Sequence, residues 1–151
     1  MSDYRETDIL LVEDNPSDLK LALHSFKQHG FAHRVEIARD GAEALDFIFG
    51  TGPYAGRPRV KAPRVILLDL QLPKVSGLEV LKRLKSDPQT RSIPVVILTS
   101  SRENRDLTEA YRLGANSYIV KPVDFEQFTK CVQEIGVYWL VSNTAAGADA
   151  A

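Results

Sequence analysis

Val65-Ile66-Leu67-Leu68-Asp69 is the stretch that decides the fold: a short apolar run that ends in an acidic residue. A similar arrangement, an apolar run followed by a polar or charged residue, occurs at Ile9–Val12 before Glu13 and Asp14, at Val95–Leu98 before Thr99, and at Tyr118–Val120 before Lys121. Runs of about four aliphatic residues are typical of strands buried on both faces of a parallel sheet. The carboxyl ends of such strands gather along one edge, where ligands bind. We therefore expect these polar side chains to share one pocket.

Helix-like segments separate the strand-like runs. Asn15 has the properties of a helix N-cap and Pro16 suits the first helical position. Asp40 and Glu43 resemble a capping box ahead of a second helix. A second strand is expected near 34–38, and later helices are expected near 77–85, near 103–113 and from about 124. Alternating strands and helices predict an α/β fold, a parallel sheet with helices on both faces.

Size and charge fit a single small domain. The chain has 151 residues, a net charge of −1 and one cysteine, Cys131. The even balance of charges does not favour nucleic acid, whose binders usually carry a basic patch. A lone cysteine cannot form an internal disulfide, and the apolar runs are too short to cross a bilayer, so we expect a cytoplasmic location. We predict an ordered domain over 7–141 and a disordered tail over 142–151.

The expected pocket has a definite chemistry. Carboxylates about 4 Å apart repel by roughly 4 kcal/mol per pair at an effective dielectric constant near 20, so Glu13, Asp14 and Asp69 should capture a cation. Ligands that are all oxygen favour Mg²⁺. Asp69 is then placed to attack phosphorus, since aspartyl phosphates are known covalent intermediates. The Thr99 hydroxyl and the Lys121 ammonium would stabilise the transferring group.

Six short motifs occur in an order that resembles a known family. They are Leu11–Asn15, Asp40–Leu45, Leu68–Pro73 with Gly77 beyond it, Val95–Ser100, Gly114-Ala115 and Lys121-Pro122. Together they resemble the response-regulator receiver domain of two-component signalling, over roughly residues 7–140. The resemblance implies a flavodoxin-like (βα)₅ doubly wound parallel sheet with strand order 2-1-3-4-5.

The resemblance also implies a phosphorylation site. Asp69 would be the phosphoacceptor. Asp14, Asp69 and the main-chain carbonyl of Gln71 would hold Mg²⁺, and Glu13 would act on the metal through water. Such a protein is not a turnover enzyme, because it promotes only its own phosphorylation and autodephosphorylation.

Three further roles follow from the same resemblance. Thr99 and Lys121 would contact the phosphoryl oxygens. Tyr118 matches an aromatic switch residue that turns inward when Thr99 moves toward the phosphate. The family usually has a cis peptide bond at the position of Lys121-Pro122, so we predict a cis bond there.

Within the family, the chain resembles small stand-alone regulators of phytochrome-type histidine kinases. The features in common are the long loop over 50–63, the ending Tyr138-Trp139-Leu140 and the lack of an effector domain. This implies a sensor histidine kinase as partner, with a histidine phosphotransfer protein as a further candidate. A homodimer through the fourth and fifth helices is also implied. Its candidate interface residues are Phe125, Tyr138, Trp139 and Leu140.

Two other functions compete with this one. An Mg²⁺-dependent phosphatase of similar α/β fold would also use an aspartyl nucleophile, but it generally needs a second Asp two residues later as general acid. Gln71 occupies that position and cannot perform general acid catalysis. A degenerate receiver that serves only as a scaffold would not need the intact acidic pocket.

Overall fold

The computed structural model describes residues 7–31, 34–56 and 62–144. In these ranges five strands alternate with five α-helices. The strands are β1 (Ile9–Val12), β2 (Val35–Ala38), β3 (Val65–Leu68), β4 (Val95–Thr99) and β5 (Ser117–Val120). The helices are α1 (Pro16–Gln28), α2 (Gly41–Phe49), α3 (Gly77–Ser86), α4 (Asn104–Leu113) and α5 (Phe125–Val137). A short 3₁₀ turn at Gly52–Tyr54 follows α2, and a π-helical turn at Tyr138–Ser142 follows α5.

The five strands form one parallel sheet in the order β2-β1-β3-β4-β5. The predicted fold and strand order are therefore confirmed. The register places Val12 of β1 beside Leu68 of β3, and Leu68 beside Ile97 of β4. Because Glu13 and Asp69 directly follow Val12 and Leu68, they begin level with each other at the carboxyl edge of the sheet.

Successive residues of each central strand point to opposite faces, and each face has its own apolar core. On one face Leu10, Ile66 and Ile97 pack with α2, α3 and α4. On the other face Leu11 and Leu67 pack with α1 and α5. This explains why the central strands are apolar at every position, since a parallel sheet covered by helices on both sides has no solvent-facing residues.

Side-chain caps fix where several helices begin. Asn15, Asp40, Ser76 and Asp124 each accept a hydrogen bond from a backbone N–H in the first turn of the helix that follows. Such a cap satisfies one of the N–H groups that lack a partner at a helix start. The predicted caps at Asn15 and Asp40 are confirmed. As a result α1 begins one residue after the acidic pair, Glu13 and Asp14, that follows β1.

One prediction is wrong, and two others extend outside the described residues. The structure has no cis peptide bond in the described residues, so the bond between Lys121 and Pro122 is trans and the predicted cis bond was wrong. Trans is the more stable isomer even before proline. Of the predicted tail, Ser142 ends the π-helical turn and residues 145–151 lie outside the described ranges, as do residues 57–61 of the long loop. No helix in the described ranges is long and apolar enough to span a membrane.

Gly77 generates the first prediction, because α3 starts against the backbone that carries Asp69. A Cβ atom at Gly77 would overlap the Asp69 carbonyl oxygen and lie 2.5 Å from the Leu70 Cα. We predict that Gly77→Ala lowers the free energy of unfolding by about 2 kcal/mol or more, because backbone must shift to relieve the overlap. Urea unfolding measures the change. Asn104→Ala, at the exposed first position of α4, is the control and should change stability little. Equal stability of both variants would contradict the prediction.

Candidate functional site

Three carboxylates meet at the carboxyl edge of the sheet. Glu13 and Asp14 follow β1, and Asp69 follows the neighbouring strand β3, with its backbone N–H donating to Val12 O at 3.1 Å. One oxygen from each of the three carboxylates can be chosen so that all lie within 4.8 Å of one another. The structure thus brings Asp69 together with Glu13 and Asp14, which precede it by at least 55 positions, as expected for residues that follow neighbouring parallel strands.

The three carboxylates differ in exposure. Glu13 and Asp69 are buried, at 4% and 5% relative exposure, whereas Asp14 is exposed to solvent. Burial of an unpaired carboxylate is costly, so the two buried groups need a partner. The exposed Asp14 gives the cluster one side that is open to solvent.

Lys121 supplies the positive charge that the buried carboxylates need. Its Nζ lies 2.6 Å from Glu13 Oε1, 2.7 Å from Asp18 Oδ2 and 2.8 Å from Asp69 Oδ2. An ammonium group has three N–H donors, so these three contacts use its full capacity. The lysine therefore offsets the repulsion expected among the acids.

The environment shifts the pKa values of this charged pair. Burial raises the pKa of Glu13 from 4.5 to about 7, against the opposing hydrogen bond from Lys121. Burial alone would lower the pKa of Lys121, but its hydrogen bonds to Asp18, Asp69 and Glu13 outweigh burial and raise it. The lysine is accordingly held in its charged form.

Asp69 is fixed through both of its carboxylate oxygens. The backbone N–H of Gln71 donates to Oδ1 at 3.1 Å, and Lys121 donates to Oδ2 at 2.8 Å. The orientation of the side chain is therefore set by two donors from different parts of the chain. The predicted role of the Gln71 carbonyl as a metal ligand stays a prediction.

Asp18 was missed by the sequence analysis. It lies in the first turn of α1, where an acidic residue is ordinarily explained by the helix dipole. Its contact with Lys121 joins residues 103 positions apart. The packing of α1 against α5, the helix that follows Lys121, brings the two together, and nothing local in the sequence signals that contact.

Thr99 is the last residue of β4 and is fully buried. Its carbonyl accepts a hydrogen bond from the backbone N–H of Lys121 at 2.8 Å, and its Oγ1 accepts one from Ser101 N at 3.4 Å. The predicted hydroxyl therefore lies at the same edge of the sheet as the acidic residues, on the strand next to the one that precedes Asp69.

A hydrogen-bond network continues from Thr99 along the loop before α4. The Tyr118 hydroxyl donates to the carbonyl oxygen of Ser101 at 3.0 Å. The Ser101 Oγ donates to Asp106 Oδ2 at 2.5 Å and accepts from Glu103 N at 3.3 Å. Tyr118 is thus tied to a loop that starts directly after Thr99. Tyr118 was predicted from the sequence, whereas Asp106 was not.

The candidate interface residues have different exposures. Phe125 is 70% exposed and Tyr138 is 53% exposed. Trp139 is half-buried, and its ring makes an edge-to-face contact with Tyr138 at 5.0 Å between ring centroids. Leu140 is buried in the core of its own chain, so we leave it out of the interface.

The donor set suits a hard divalent cation. Glu13, Asp14 and Asp69 offer only carboxylate oxygens, and Mg²⁺, Mn²⁺ and Ca²⁺ prefer such ligands. Two of these three carboxylates, Glu13 and Asp69, are buried, and Asp14 is exposed to solvent. The residues present therefore fit a divalent metal.

Comparison with known proteins identifies related sequences. Residues 9–133 match the family model described as the response regulator receiver domain. The probable methanogenesis regulatory protein FilR2 of Methanothrix harundinacea is 45% identical over 139 residues, which cover 92% of this chain and 87% of that protein. The response regulator Rcp1 of Synechocystis is 40% identical, and the match covers 93% of each chain.

Solved structures show the same relationship. The phosphorylated cyanobacterial phytochrome response regulator RcpA has a TM-score of 0.85 at 39% identity, over 93% of this chain and 98% of that one. The Mn²⁺-bound form of Rcp1 has a TM-score of 0.84 at 40% identity, over 92% and 98%. The bacteriophytochrome response regulator AtBRR has a TM-score of 0.70 at 53% identity, over 91% and 98%.

A manganese-bound relative and the carboxylate cluster together indicate that this is a divalent-metal site. The phosphatase alternative is not favoured. The family model, the relatives and the strand order agree, and the chain belongs to the response-regulator receiver domain family, with homologues among the phytochrome response regulators.

Proposed function

We propose that this chain accepts a phosphoryl group on Asp69 from a sensor histidine kinase and that the modification switches its binding surface. The observation that carries the proposal is the setting of the Asp69 carboxylate. It is buried, held by Gln71 N and Lys121 Nζ, and adjacent to Glu13 and Asp14. An aspartate that only stabilises the fold does not require Glu13, Asp14 and Lys121 to be gathered around it.

The transfer step forms one bond and breaks one bond. An Asp69 carboxylate oxygen attacks the phosphorus of a phosphohistidine on the kinase. The new O–P bond forms while the P–N bond breaks, and the histidine nitrogen keeps the electron pair. Lys121 and the Thr99 hydroxyl then donate hydrogen bonds to the phosphoryl oxygens, because those oxygens carry the negative charge of the transferring group.

The metal in this proposal is Mg²⁺. Asp14, Asp69 and the Gln71 carbonyl would hold it, with Glu13 acting through water. When bound, Mg²⁺ neutralises charge on the phosphoryl oxygens. The preference of Mg²⁺ for a few carboxylates together with waters and a phosphate oxygen supports this choice.

A conformational switch would begin at Thr99. If its hydroxyl moves toward the phosphoryl group, the loop that starts at residue 100 must follow, and Ser101 in that loop is hydrogen-bonded to Tyr118 and Asp106. Phosphorylation shifts an existing equilibrium only by the difference in its contacts with the two states. Moving a population from 1:99 to 99:1 takes about 5.5 kcal/mol, which several charge-assisted contacts can supply.

The chain would catalyse only its own phosphorylation and dephosphorylation. Turnover of free phosphomonoesters needs a second acid near the nucleophile to protonate the leaving group. Gln71, two residues after Asp69, has an amide that does not perform this task. We therefore propose a signalling protein that holds its phosphoryl group until hydrolysis or onward transfer.

The partner we propose is a phytochrome-type histidine kinase, as the relatives RcpA and AtBRR suggest. A histidine phosphotransfer protein is a second candidate that would exchange phosphoryl groups with Asp69. The single Cys131 fits a reducing compartment, and we place the reaction in the cytoplasm.

We also propose a homodimer at the β5 edge of the sheet, through α4 and α5. β5 is an edge strand, and α4 and α5 lie on opposite faces beside it. Exposed apolar side chains occur along this side, notably Phe125, Tyr138 and Val141. Such surfaces often mark contacts between proteins.

The central prediction concerns Asp69 itself. Incubation with acetyl phosphate and Mg²⁺ should add one phosphoryl group to the wild-type chain, seen by intact-mass analysis and released by hydroxylamine as expected of an acyl phosphate. Asp69→Asn should give no adduct. Asp46→Asn, which alters a carboxylate on α2, is the control and should be modified like the wild type. A wild type without an adduct, or an adduct that persists in Asp69→Asn, would refute the proposal.

The third prediction concerns charge balance. Lys121→Met leaves Glu13 and Asp69 buried without their cation, so unfolding free energy should fall by about 3 kcal/mol. Millimolar Mg²⁺ should restore part of that loss, because the metal supplies positive charge to the same carboxylates. Chemical denaturation with and without Mg²⁺ measures both effects. Lys82→Met, at an exposed position on α3, should change neither quantity. Unchanged stability of Lys121→Met would rule out this account of the pocket.

The fourth prediction concerns the dimer. Phe125→Ser should shift the equilibrium toward monomer in sedimentation experiments on the phosphorylated chain, because it removes an exposed apolar group from the proposed interface. Phe49→Ser, at the end of α2, which packs beside β1 and β2 rather than at the β5 edge, is the control and should sediment like the wild type. A wild type that is monomeric with and without phosphate would remove the dimer from the proposal.

A further inference from the structure

Asp18 differs from the other two carboxylates that contact Lys121. Its Oδ2 lies 2.7 Å from the ammonium nitrogen, as close as the partners at the strand ends. Yet it belongs to a helix, and its side chain is 24% exposed, against 5% for Glu13 and 6% for Asp69. It is also not a member of the carboxylate group that fits a metal. The residue therefore contacts the lysine without a place in the metal site.

The position of Asp18 is fixed by the start of α1. Its backbone N–H donates to the Asn15 side chain at 3.1 Å, and Pro16 occupies the first turn. The side chain lies in the first turn, at the positive end of the helix dipole, where acidic residues commonly occur. On the other side, α1 is hydrogen-bonded to α5 through Ser25 Oγ and the Thr129 carbonyl at 2.9 Å. Since α5 begins shortly after Lys121, the two partners are joined by a packed pair of helices.

The donors of Lys121 can be followed through the proposed reaction. All three N–H groups point to carboxylates in the structure. Phosphorylation requires at least one of them to turn toward a phosphoryl oxygen. Glu13 and Asp69 belong to the carboxylate group that would bind a divalent metal, and Asp69 is also the proposed phosphoacceptor. Asp18 has neither role. One contact of the ammonium can therefore persist while the others change.

We propose that Asp18 is a positioning residue that holds the Lys121 ammonium over Asp69 and keeps it there when the phosphoryl group arrives. This inference rests on the proposed function, in which Lys121 contacts the phosphoryl oxygens. A lysine side chain loses considerable rotamer freedom when it is fixed. Because Asp18 contacts Lys121 before phosphorylation, the lysine side chain is already ordered when the anion binds, and binding does not have to supply that entropy cost.

Removal of the Asp18 carboxylate should change anion affinity in opposite directions, depending on whether Asp18 positions Lys121 or acts only through its negative charge. Asp18 is negative, so its removal should by charge alone make the pocket more attractive to an anion. Positioning predicts the opposite, since Lys121 would lose its anchor and contact the anion less often. The backbone N–H of Asp18, rather than its side chain, takes part in capping α1. Asp18→Asn can therefore remove the charge without removing the cap.

The experiment uses beryllofluoride, an anion that mimics a phosphoryl group on a carboxylate, together with Mg²⁺. Calorimetric titration of the full chain gives the Mg²⁺ affinity and, at saturating Mg²⁺, the beryllofluoride affinity. Asp18→Asn should weaken beryllofluoride binding about tenfold, the scale of one lost charge-assisted contact, with Mg²⁺ affinity changed less than about twofold. Asp18→Glu, which keeps the carboxylate, should bind beryllofluoride more tightly than Asp18→Asn.

Glu79→Gln is the matched control. Glu79 occupies the same position in the first turn of α3, after the cap Ser76, and its side chain is exposed. This variant should bind both ligands like the wild type. Asp18→Ser repeats the test with a second residue that suits a helix start, in case Asp18→Asn does not fold.

Each outcome decides the inference. Equal or tighter beryllofluoride binding by Asp18→Asn, or an equal loss of Mg²⁺ and beryllofluoride affinity, would overturn positioning by Asp18. Failure of the wild type to bind beryllofluoride would instead refute the proposed function on which the inference rests. A selective loss in Asp18→Asn, with Glu79→Gln unchanged, would support the inference.

Discussion

The ion pair between Lys121 and the buried carboxylates is the interaction on which the rest of the site depends. Glu13 and Asp69 are almost completely buried, and two such groups without a cation would strongly destabilise the fold. Lys121 joins the end of β5 to the ends of β1 and β3 and, through Asp18, to α1. One ammonium group therefore links four elements of the fold at the proposed reaction site. A group so placed can also respond when the charge of Asp69 changes.

The parallel sheet explains how distant residues come to share this site. In a parallel arrangement every strand ends at the same edge, and the register places β1 and β3 level with each other. The close start of α3 against the Asp69 backbone, possible only with glycine at position 77, holds the acceptor loop in place. Stability and chemistry therefore depend on the same few backbone positions, which is typical of sites at the carboxyl edge of α/β sheets.

The sequence predicted the features that have a local signature. Four-residue apolar runs mark the buried strands, capping residues mark the helix starts, and polar residues after Val12 and Leu68 mark the site. Asp18 escaped prediction because its partner is distant in sequence and its position on α1 has an ordinary explanation. Leu140 looked available in an apolar segment, but the π-helical turn directs it into the core. The bond before Pro122 is trans, and the Lys121-Pro122 motif alone did not predict this.

In the proposed mechanism Lys121 exchanges two of its partners while its contact with Asp18 is kept. A crystal structure of the chain with Mg²⁺ and beryllofluoride would test this most directly. We expect beryllium on an Asp69 carboxylate oxygen, a fluorine within hydrogen-bond distance of Lys121 Nζ, and the contact between Lys121 and Asp18 retained. A structure in which Lys121 keeps all three carboxylates while the anion binds elsewhere would contradict the account.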